Sequence, residues 1–458
     1  MNIITNSREE IKEYNKRVTD FFKQFGVNAL LRRLGADRIR GYSISKVWDF
    51  IFSLVFTGKN LYRTINSDTG TDMGKDVVYR FLNNIKIHWE KFLFLLSLAV
   101  ILRIRPLTSE KRRTAILIDD TCYYRDRSKK VELLSKCYDH AKDYHFKGFR
   151  MLTLCWTDGV NTLPYAFQLM ASSDPKKRIC ESEKFDGRTL AARRRKRAVK
   201  TMPDRLLELL RTSQKMKIPA DYVLCDSWFS DPTPLINMHK IGYRVVSMLK
   251  RNKTGYLYNG EKQTLNQIFR SLKKRPGKSK YLSSTIVTIN SSDEKSTLDV
   301  KLVFVRNKNK KNDWKVLVST DLNLSEQGII ELYGKRWGIE VFFKTCKSYL
   351  KLAGEFQGRS YDMLVAHTTV VCVRYIMLAW FSRLDTDDRT INEGFFLLCE
   401  EKADISFSEA LRYLFSVLQS ALSEVFWLSS AQINELLDAF LSKLPVSFRN
   451  LLIPCSNS

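Results

Sequence analysis

The chain has 458 residues, 44% hydrophobic and 27% charged, so it is long enough to bury a sizeable core and to form about two to three domains. Lysine and arginine outnumber aspartate and glutamate by 76 to 49, and the resulting formal charge of +27 favours a polyanionic partner, above all nucleic acid. The nine cysteines include no C-x-x-C pair and the first residues lack a signal-peptide pattern, which indicates a reduced cytoplasmic protein and argues against secretion.

The first part of the chain has the pattern of a small helical domain. Residues 43–56, 76–82 and 88–102 mix apolar with basic side chains at helical spacing. We expect a helical N-terminal DNA-binding domain over residues 1–110. The pattern alone fits equally well a helical domain that only packs on its neighbour.

The middle of the chain changes to strand patterns. AILID (115–119), MLTLCW (151–156) and TLPYAFQLM (162–170) predict three strands, and DYVLCD (221–226) and YRVVSML (243–249) predict two more, separated by a helix. A second helix, from about residue 203 to 216, precedes the fourth strand. This order predicts an α/β fold with a mixed sheet. The basic run RRRKR (193–197) is expected to be flexible.

The last two regions differ again. Residues 251–325 contain alternating runs such as STIVTI, VKLVFV and WKVLVST, which predict an inserted β subdomain. Residues 356–458 predict a helical C-terminal region. Its apolar stretch at 363–381 contains His367 and Arg374, so we expect a buried helix there and no membrane span.

Three carboxylates are candidates for chemistry. Asp119 ends the first predicted strand, Asp226 ends the fourth, and Glu340 lies on a predicted long helix after the insertion. Open α/β sheets place their sites at such strand ends, and converging carboxylates suit Mg²⁺ or Mn²⁺ better than zinc. Each residue also has a simpler interpretation, as a turn or helix cap or as a surface ion pair. The sequence contains no H-E-x-x-H zinc motif, no G-x-S-x-G nucleophile motif and no complete phosphate-binding loop, so none of these motifs indicates another kind of active site.

The stretch YGKRWGIEVFFKTCK (333–347) carries a specific pattern. Tyr333, Arg336, Glu340 and Lys347 fall within about 60° on one helical face. Their spacing resembles the signature of DDE transposases of the insertion sequence 4 family, and Trp337 also fits it.

Two further motifs are similar to those of this family. LIDDT (117–121) resembles the first-Asp motif and VLCDSWF (223–229) resembles the second. The first motif leaves Asp120 open as an alternative to Asp119, and the second leaves Asp231 as a weaker alternative to Asp226. Only one of two successive strand residues should be a ligand, because they face opposite ways.

The resemblance implies an RNase H-like catalytic domain over residues 111–250 and 326–355, interrupted by the inserted subdomain at 251–325. It implies that Asp119, Asp226 and Glu340 hold two Mg²⁺ ions, with Mn²⁺ as an alternative. The DNA-binding residues that it implies are Tyr333, Arg336, Lys347, Trp337 and Trp314, the last as the acceptor of a flipped base. An ordinary sheet aromatic is the alternative for Trp314.

The function that the resemblance implies is cut-and-paste transposition of a bacterial insertion sequence. The partners would be double-stranded DNA, as transposon ends and target, and a second copy of the chain on that DNA. The protein would then work in the bacterial cytoplasm at the nucleoid. The alternatives are a non-catalytic DNA-binding regulator derived from a transposase, and another RNase H-like nuclease.

Overall fold

The structure is a computed structural model that describes residues 16–57, 61–65, 73–276, 279, 281–307, 310 and 313–384, with isolated positions 432, 435, 436, 439 and 442. Of the C-terminal region predicted to be helical (356–458), residues 361–384 form a helix, and beyond residue 384 only the isolated positions are described. The chain divides into two compact units, one formed by residues 1–32, 37–81 and 387–458, the other by residues 33–36 and 82–386.

The helices of the described residues, besides a helical stretch at 16–24, are α1 (Val27–Arg33), α2 (Ile44–Ser53), α3 (Leu61–Ile65), α4 (Lys75–Leu82), α5 (Trp89–Ile104), α6 (Leu190–Ala198), α7 (Met202–Lys215), α8 (Pro232–Lys240), α9 (Leu265–Ser271), α10 (Glu326–Gly334), α11 (Trp337–Ser348) and α12 (Tyr361–Leu384). The strands are β1 (Ala115–Tyr124), β2 (Ser135–Asp139), β3 (Tyr144–Thr157), β4 (Thr162–Met170), β5 (Tyr222–Cys225), β6 (Arg244–Leu249), β7 (Gly255–Tyr258), β8 (Glu261–Thr264), β9 (Ser283–Asn290), β10 (Thr297–Arg306) and β11 (Trp314–Ser319).

The first unit is helical where it is described. Ser43 begins α2, because its side chain accepts a hydrogen bond from the backbone N–H of Lys46 at 3.3 Å. Trp48 and Phe52 on the apolar face of this helix pack with Phe22, and the rings of Phe22 and Phe52 lie 4.9 Å apart. These buried aromatic side chains form a small core that stabilises the unit.

The second unit is built on one mixed sheet. Its order within the described residues is β2-β3-β1-β5-β6-β11-β10-β9-β7-β8, with β4 paired to β3. β1, β5 and β6 are parallel neighbours, whereas β3 pairs antiparallel with β1, and β4 pairs antiparallel with β3. The parallel strands are short and buried because helices cover them: α11 contacts β1, α8 and α10 contact β6, and α5 and α12 contact β4.

The predicted strands of the middle region are all present, and so are the helices α7 and α8. The segment predicted as an inserted β subdomain also forms strands. These strands continue the sheet, since β11 pairs with β6 and β10 and β9 follow outward. A subdomain separate from that sheet therefore stays a prediction. Helix α5, placed by the sequence in the N-terminal domain, packs on β4 and α12 within the second unit.

The expectation of a flexible RRRKR stretch is wrong. Its residues lie in α6, where Arg194 and Arg195 are buried and both pair with the buried carboxylate of Asp362 at 2.6 and 2.7 Å. Arg194 also binds Glu90, and Arg195 also binds Glu132. Three carboxylates that are distant in the sequence hold this helix in place, and a local charge pattern does not reveal them.

Helix α12 is long and apolar enough to cross a membrane by length and composition, but 94% of its apolar window is buried inside the protein. It also carries the buried side chains of His367 and Arg374, and Arg374 binds Glu355 with two hydrogen bonds of 2.7 and 3.0 Å. These features are those of a core helix in a folded unit.

Candidate active site

Asp119 and Asp226 occupy equivalent places on neighbouring parallel strands. The pairing of β1 with β5 ends at the partners Ile118 and Cys225, so each aspartate is the next residue along its strand. The prediction that Asp119 ends the first strand is wrong in one respect, because β1 continues beside β3 as far as Tyr124. Only the parallel pairing of β1 with β5 ends at Ile118. Because the register places Asp119 and Asp226 one residue past this pairing, the two carboxylates lie at the same edge of the sheet.

Asp119 has an unusual electrostatic setting. Its side chain is only 20% exposed, and burial is the main cause that raises its pKa, to about 7. The charges of Asp120 and Asp226 raise the pKa further, whereas the Asp120 backbone N–H, at 2.8 Å, and the guanidinium of Arg336 lower it. A half-buried carboxylate with a carboxylate neighbour favours a bound cation.

Asp226 follows β5 and opens a tight turn. Its backbone carbonyl accepts hydrogen bonds from the N–H of Phe229 at 3.0 Å and the hydroxyl of Ser230 at 2.9 Å. Its side-chain Oδ1 is buried and has no hydrogen-bond partner. A buried carboxylate oxygen without a partner is costly, and an external positive charge is the usual way to satisfy it.

Glu340 is connected to Asp119 through Arg336. The Arg336 guanidinium donates to Glu340 one helical turn later, and its Nη1 lies 3.5 Å from Asp119 Oδ2. Burial opposes the charge of Arg336, but Tyr333 and the carboxylates of Glu340, Asp226 and Asp119 raise its pKa above the ordinary value. The guanidinium therefore stands among all three predicted carboxylates.

The helix that carries this signature is not continuous. The prediction of one long helix is wrong, because α10 ends at Gly334, residues 335 and 336 form a turn, and α11 begins at Trp337. The hydrogen bond from the N–H of Gly338 to the carbonyl of Lys335 closes this turn. Arg336 therefore lies in the break, and Glu340 lies in the first turn of α11.

The other signature residues surround this pair in different ways. The Arg336 guanidinium lies 5.7 Å from the ring centre of Tyr333, whose pKa burial raises to about 12. Lys347 donates from Nζ to the Thr121 hydroxyl at 2.6 Å, on the same face of β1 as Asp119. Trp337 is 64% exposed. The structure thus brings Arg336, Lys347 and the carboxylates together and leaves the Trp337 ring facing solvent.

The two alternative aspartates have other surroundings. Asp120 borders the same cavity as Asp119 and Asp226, but its 5% exposed side chain is bound by Arg150. Asp231 is exposed, precedes α8 as its N-terminal cap residue, and lines a different cavity that also contains Thr233 and Lys262. Neither carboxylate lies in the position of Asp119 or Asp226.

Trp314 is not brought to the carboxylates. At the start of β11 its ring packs on Phe269 and Phe304, with centroids 4.5 and 5.3 Å away, and the Arg251 guanidinium lies 4.7 Å from it. The ring is not among the side chains that line the carboxylate cavity. Its part in base recognition stays a prediction, and this packing is that of a sheet aromatic.

A cavity of about 630 Å³ opens over the strand ends. Of the predicted residues, Asp119, its alternative Asp120, Asp226 and Lys347 line this cavity, whereas Glu340 and Arg336 do not. It is also lined by residues that sequence reasoning did not assign to the site: Trp228, Lys250, Arg150, Tyr124, Asp139, His140 and Lys142. The signal for Trp228 and Lys250 was their position just past a strand end: Lys250 directly follows β6, and Trp228 is the third residue after β5. Tyr124 ends β1, whereas Arg150, Asp139, His140 and Lys142 belong to the β2–β3 hairpin, which the sequence did not predict.

The carboxylate set suits a hard divalent cation. Carboxylate oxygens are the ligands that Mg²⁺ and Mn²⁺ prefer, and the buried Asp226 Oδ1 lacks a partner. Within the described part of the chain, no three His, Cys, Asp or Glu side chains lie close enough to hold one ion together. Arg336 supplies the reason, since it binds Glu340 and reaches Asp119. The residues fit a divalent ion at Asp119 and Asp226. Glu340 could bind the same ion only after its carboxylate releases the guanidinium of Arg336.

Comparison with known proteins finds one similarity over part of the chain. A family model described as DDE superfamily endonuclease matches residues 60–284, just under half of the chain. The matched segment contains Asp119 and Asp226 and ends before Glu340. No curated protein matches the chain. The chain is similar to DDE superfamily endonucleases, which act on DNA and generally use divalent metal ions.

Proposed function

We propose that this protein is a transposase that excises and inserts an insertion sequence by a cut-and-paste route, with Asp119, Asp226 and Glu340 as its catalytic carboxylates. The observation that carries the proposal is the register of β1 and β5, which puts Asp119 and Asp226 side by side after the pair Ile118 and Cys225. The similarity to DDE superfamily endonucleases and the resemblance of 333–347 to the insertion sequence 4 signature support it.

The strand order supports an RNase H-like catalytic domain. The order β4-β3-β1-β5-β6, with the first three strands antiparallel and the last three parallel, is the arrangement that such a domain requires. In this arrangement the carboxylates lie on the central strand and its parallel neighbour. The helix that carries Glu340 then packs across β1.

The roles of the residues follow from their positions. Two divalent ions, when bound by these carboxylates, would activate the attacking oxygen and neutralise the leaving oxygen of an in-line displacement at phosphorus. Asp119 and Asp226 orient their oxygens into the cavity because the strand register and the turn after β5 hold their backbones. Arg336 holds the Glu340 carboxylate at the site until Glu340 becomes a ligand.

The DNA contacts are assigned to the basic residues around the cavity. Lys347 and Arg336 are placed to bind phosphates of the transposon end, with Tyr333 packed beside the guanidinium. Trp337 is exposed and free to contact DNA outside the cavity. The formal charge of +27 provides the attraction that gathers the polyanion. A dimer on two ends, sequence-specific recognition of inverted repeats and a nucleoid location in bacteria complete this proposal.

Strand cleavage by the purified protein on DNA from both flanks of its own gene tests the proposal. We expect nicks at matched inverted repeats in Mg²⁺, none in EDTA, and joining of the cut ends to a target plasmid. Cutting without joining would instead identify an RNase H-like nuclease. Binding without cutting in Mg²⁺ or Mn²⁺ would identify a non-catalytic regulator.

A further inference from the structure

We propose that Trp228 is a stacking platform for a nucleobase of the DNA strand at the candidate active site, and that Lys250 binds a phosphate beside that base. The inference rests on the proposed function and adds the recognition of one unpaired nucleotide to it. It assigns a binding role to two residues that have none so far: Trp228, which lies within VLCDSWF (223–229), and Lys250, which follows β6.

Trp228 is held in an exposed position by the turn after β5. The side chain is 53% exposed, although the next residue, Phe229, is buried. The turn is fixed because the Asp226 carbonyl accepts from the Phe229 N–H and the Ser230 hydroxyl, and because the Ser230 hydroxyl also bonds that of Ser247 on β6. With Phe229 anchored in the core, the ring of Trp228 faces the cavity.

Lys250 reaches the same ring from the neighbouring strand. β5 and β6 are parallel with the partners Cys225 and Ser247, so the residues that follow the two strands lie close together. The Lys250 ammonium lies 4.7 Å from the centre of the Trp228 ring. This cation–π contact orients the ring, places a positive charge over one of its faces and leaves the other face for a base.

His140 completes the surroundings of the ring. It lies in the turn between β2 and β3, and its ring centre is 6.1 Å from that of Trp228 with an angle of 40° between the planes. The angle leaves the two rings tilted against each other. Trp228 is therefore bordered by a basic residue and an imidazole and remains half open to solvent.

The position of this ring determines what it binds. Trp228 and Lys250 line the same cavity as Asp119 and Asp226, so a strand whose phosphate meets the carboxylates passes the indole. An aromatic ring beside a cation binds nucleobases by their faces and tolerates any base sequence. A base can stack on the Trp228 ring only after it has left the stacked bases of the duplex. The nucleotide bound by Trp228 is therefore an unpaired one next to the cut phosphate.

The test combines Trp228 variants with abasic sites placed singly along the cut strand. We expect Trp228→Ala to slow cleavage by roughly 5- to 100-fold, and Trp228→Phe to slow it much less, as for other base-stacking residues. At one abasic position, the cleavage rate of the wild-type protein should fall by the same factor as Trp228→Ala causes on intact DNA. The rate of Trp228→Ala itself should not fall further on that abasic DNA. Lys250→Met should lower the salt dependence of binding by about one counterion.

The control is Ile286→Ala, a change at a 50% exposed apolar residue on β9 that does not line this cavity. Equal cleavage by Trp228→Ala and wild type would overturn the inference and leave the proposed function standing. The same loss by Trp228→Ala at every abasic position would also overturn it, because that result indicates a structural role. Failure of the wild-type protein to cut in Mg²⁺ or Mn²⁺ would overturn the proposed function and, with it, this inference.

Discussion

Arg336 and Asp119 belong to different segments of the chain, yet Nη1 of the arginine lies 3.5 Å from Oδ2 of the aspartate. The same guanidinium donates to Glu340 on its own helix. One positive charge thus compensates carboxylates from a strand and from a helix, which lowers their mutual repulsion in the metal-free protein. Binding of DNA and metal ions would redistribute these contacts, with Arg336 moving to phosphate.

Separate substitutions of Arg336 and Glu340 should distinguish DNA binding from DNA cutting. We expect Arg336→Ala to weaken binding to the transposon end by roughly 10- to 100-fold, because a charged hydrogen-bond donor to phosphate is lost. Glu340→Gln should spare binding and abolish cutting, since an amide is a poor ligand for a hard cation. Gel-shift and cleavage assays on the same DNA measure both effects. Equal loss of binding in the two variants would contradict this division.

The adjacent aspartates of β1 should respond in opposite ways. Asp119→Asn should abolish cleavage and leave the fold intact. Asp120→Asn should lower the free energy of unfolding by about 2 kcal/mol, because it removes a buried charge from the pair with Arg150. Urea unfolding and cleavage of each variant make the comparison. A stable, inactive Asp120→Asn protein beside an active Asp119→Asn protein would reverse the assignment.

Gly338 should prove necessary for placing Glu340. A Cβ atom at Gly338 would lie 2.3 Å from the Thr162 hydroxyl oxygen on β4, so an alanine there pushes α11 away from the sheet. We expect Gly338→Ala to cost about 1–3 kcal/mol of stability and to slow cleavage on the order of 100-fold.

Gly334 is the matched control for this prediction. It lies at the end of α10, and a Cβ there would meet nothing within 4 Å, so Gly334→Ala should keep full activity. Adding Thr162→Ala to Gly338→Ala should restore part of the cleavage rate, since it removes the atom in conflict. Equal rates for the two glycine variants would show that the close approach is unimportant.

The pH dependence of stability should include a contribution from His367. This fully buried imidazole, which faces Glu355, Arg374 and Arg125, has its pKa lowered from 6.5 mainly by burial. The unfolded chain then binds the proton more readily, so stability should fall as pH drops below 6.5, by up to about 1.4 kcal/mol per pH unit.

His367→Phe should flatten this slope between pH 6.5 and 5.5 in urea-unfolding experiments. The pKa of Glu355 is itself lowered: burial raises it, but Arg374 and His367 lower it more. Its contribution is therefore lost only as pH falls below its ordinary value of 4.5. An unchanged slope in the His367 variant would assign the acid sensitivity to other groups.

The sequence predicted the parts of the fold that depend on local patterns. β1, β5 and β6 appear as short apolar runs because they are buried among other strands and helices. The polar strand β2, SKCYD, has no such pattern and was missed, although it carries the hairpin that brings His140 to the cavity. The buried Arg194 and Arg195 were likewise unpredictable, since Glu90, Glu132 and Asp362 lie far away in the chain.

The candidate site was predictable where residue spacing reflects geometry. The spacing of Arg336 and Glu340 indicated one face, and these residues do bind each other. The break before Trp337 was not predicted, because the periodicity of apolar residues continues across it. Trp314 fitted a family pattern, yet its aromatic neighbours on α9 and β10 come from segments whose packing the sequence does not show.

The central claim is that Asp226 binds a catalytic metal ion, and the nearby Asp231 provides the matched comparison. Strand cleavage should be measured on DNA from the flanks of the gene, in Mg²⁺ and in EDTA, for wild type, Asp226→Asn and Asp231→Asn. The account predicts metal-dependent cutting that Asp226→Asn loses and Asp231→Asn retains. Cutting that survives in Asp226→Asn, or that persists in EDTA, would contradict it.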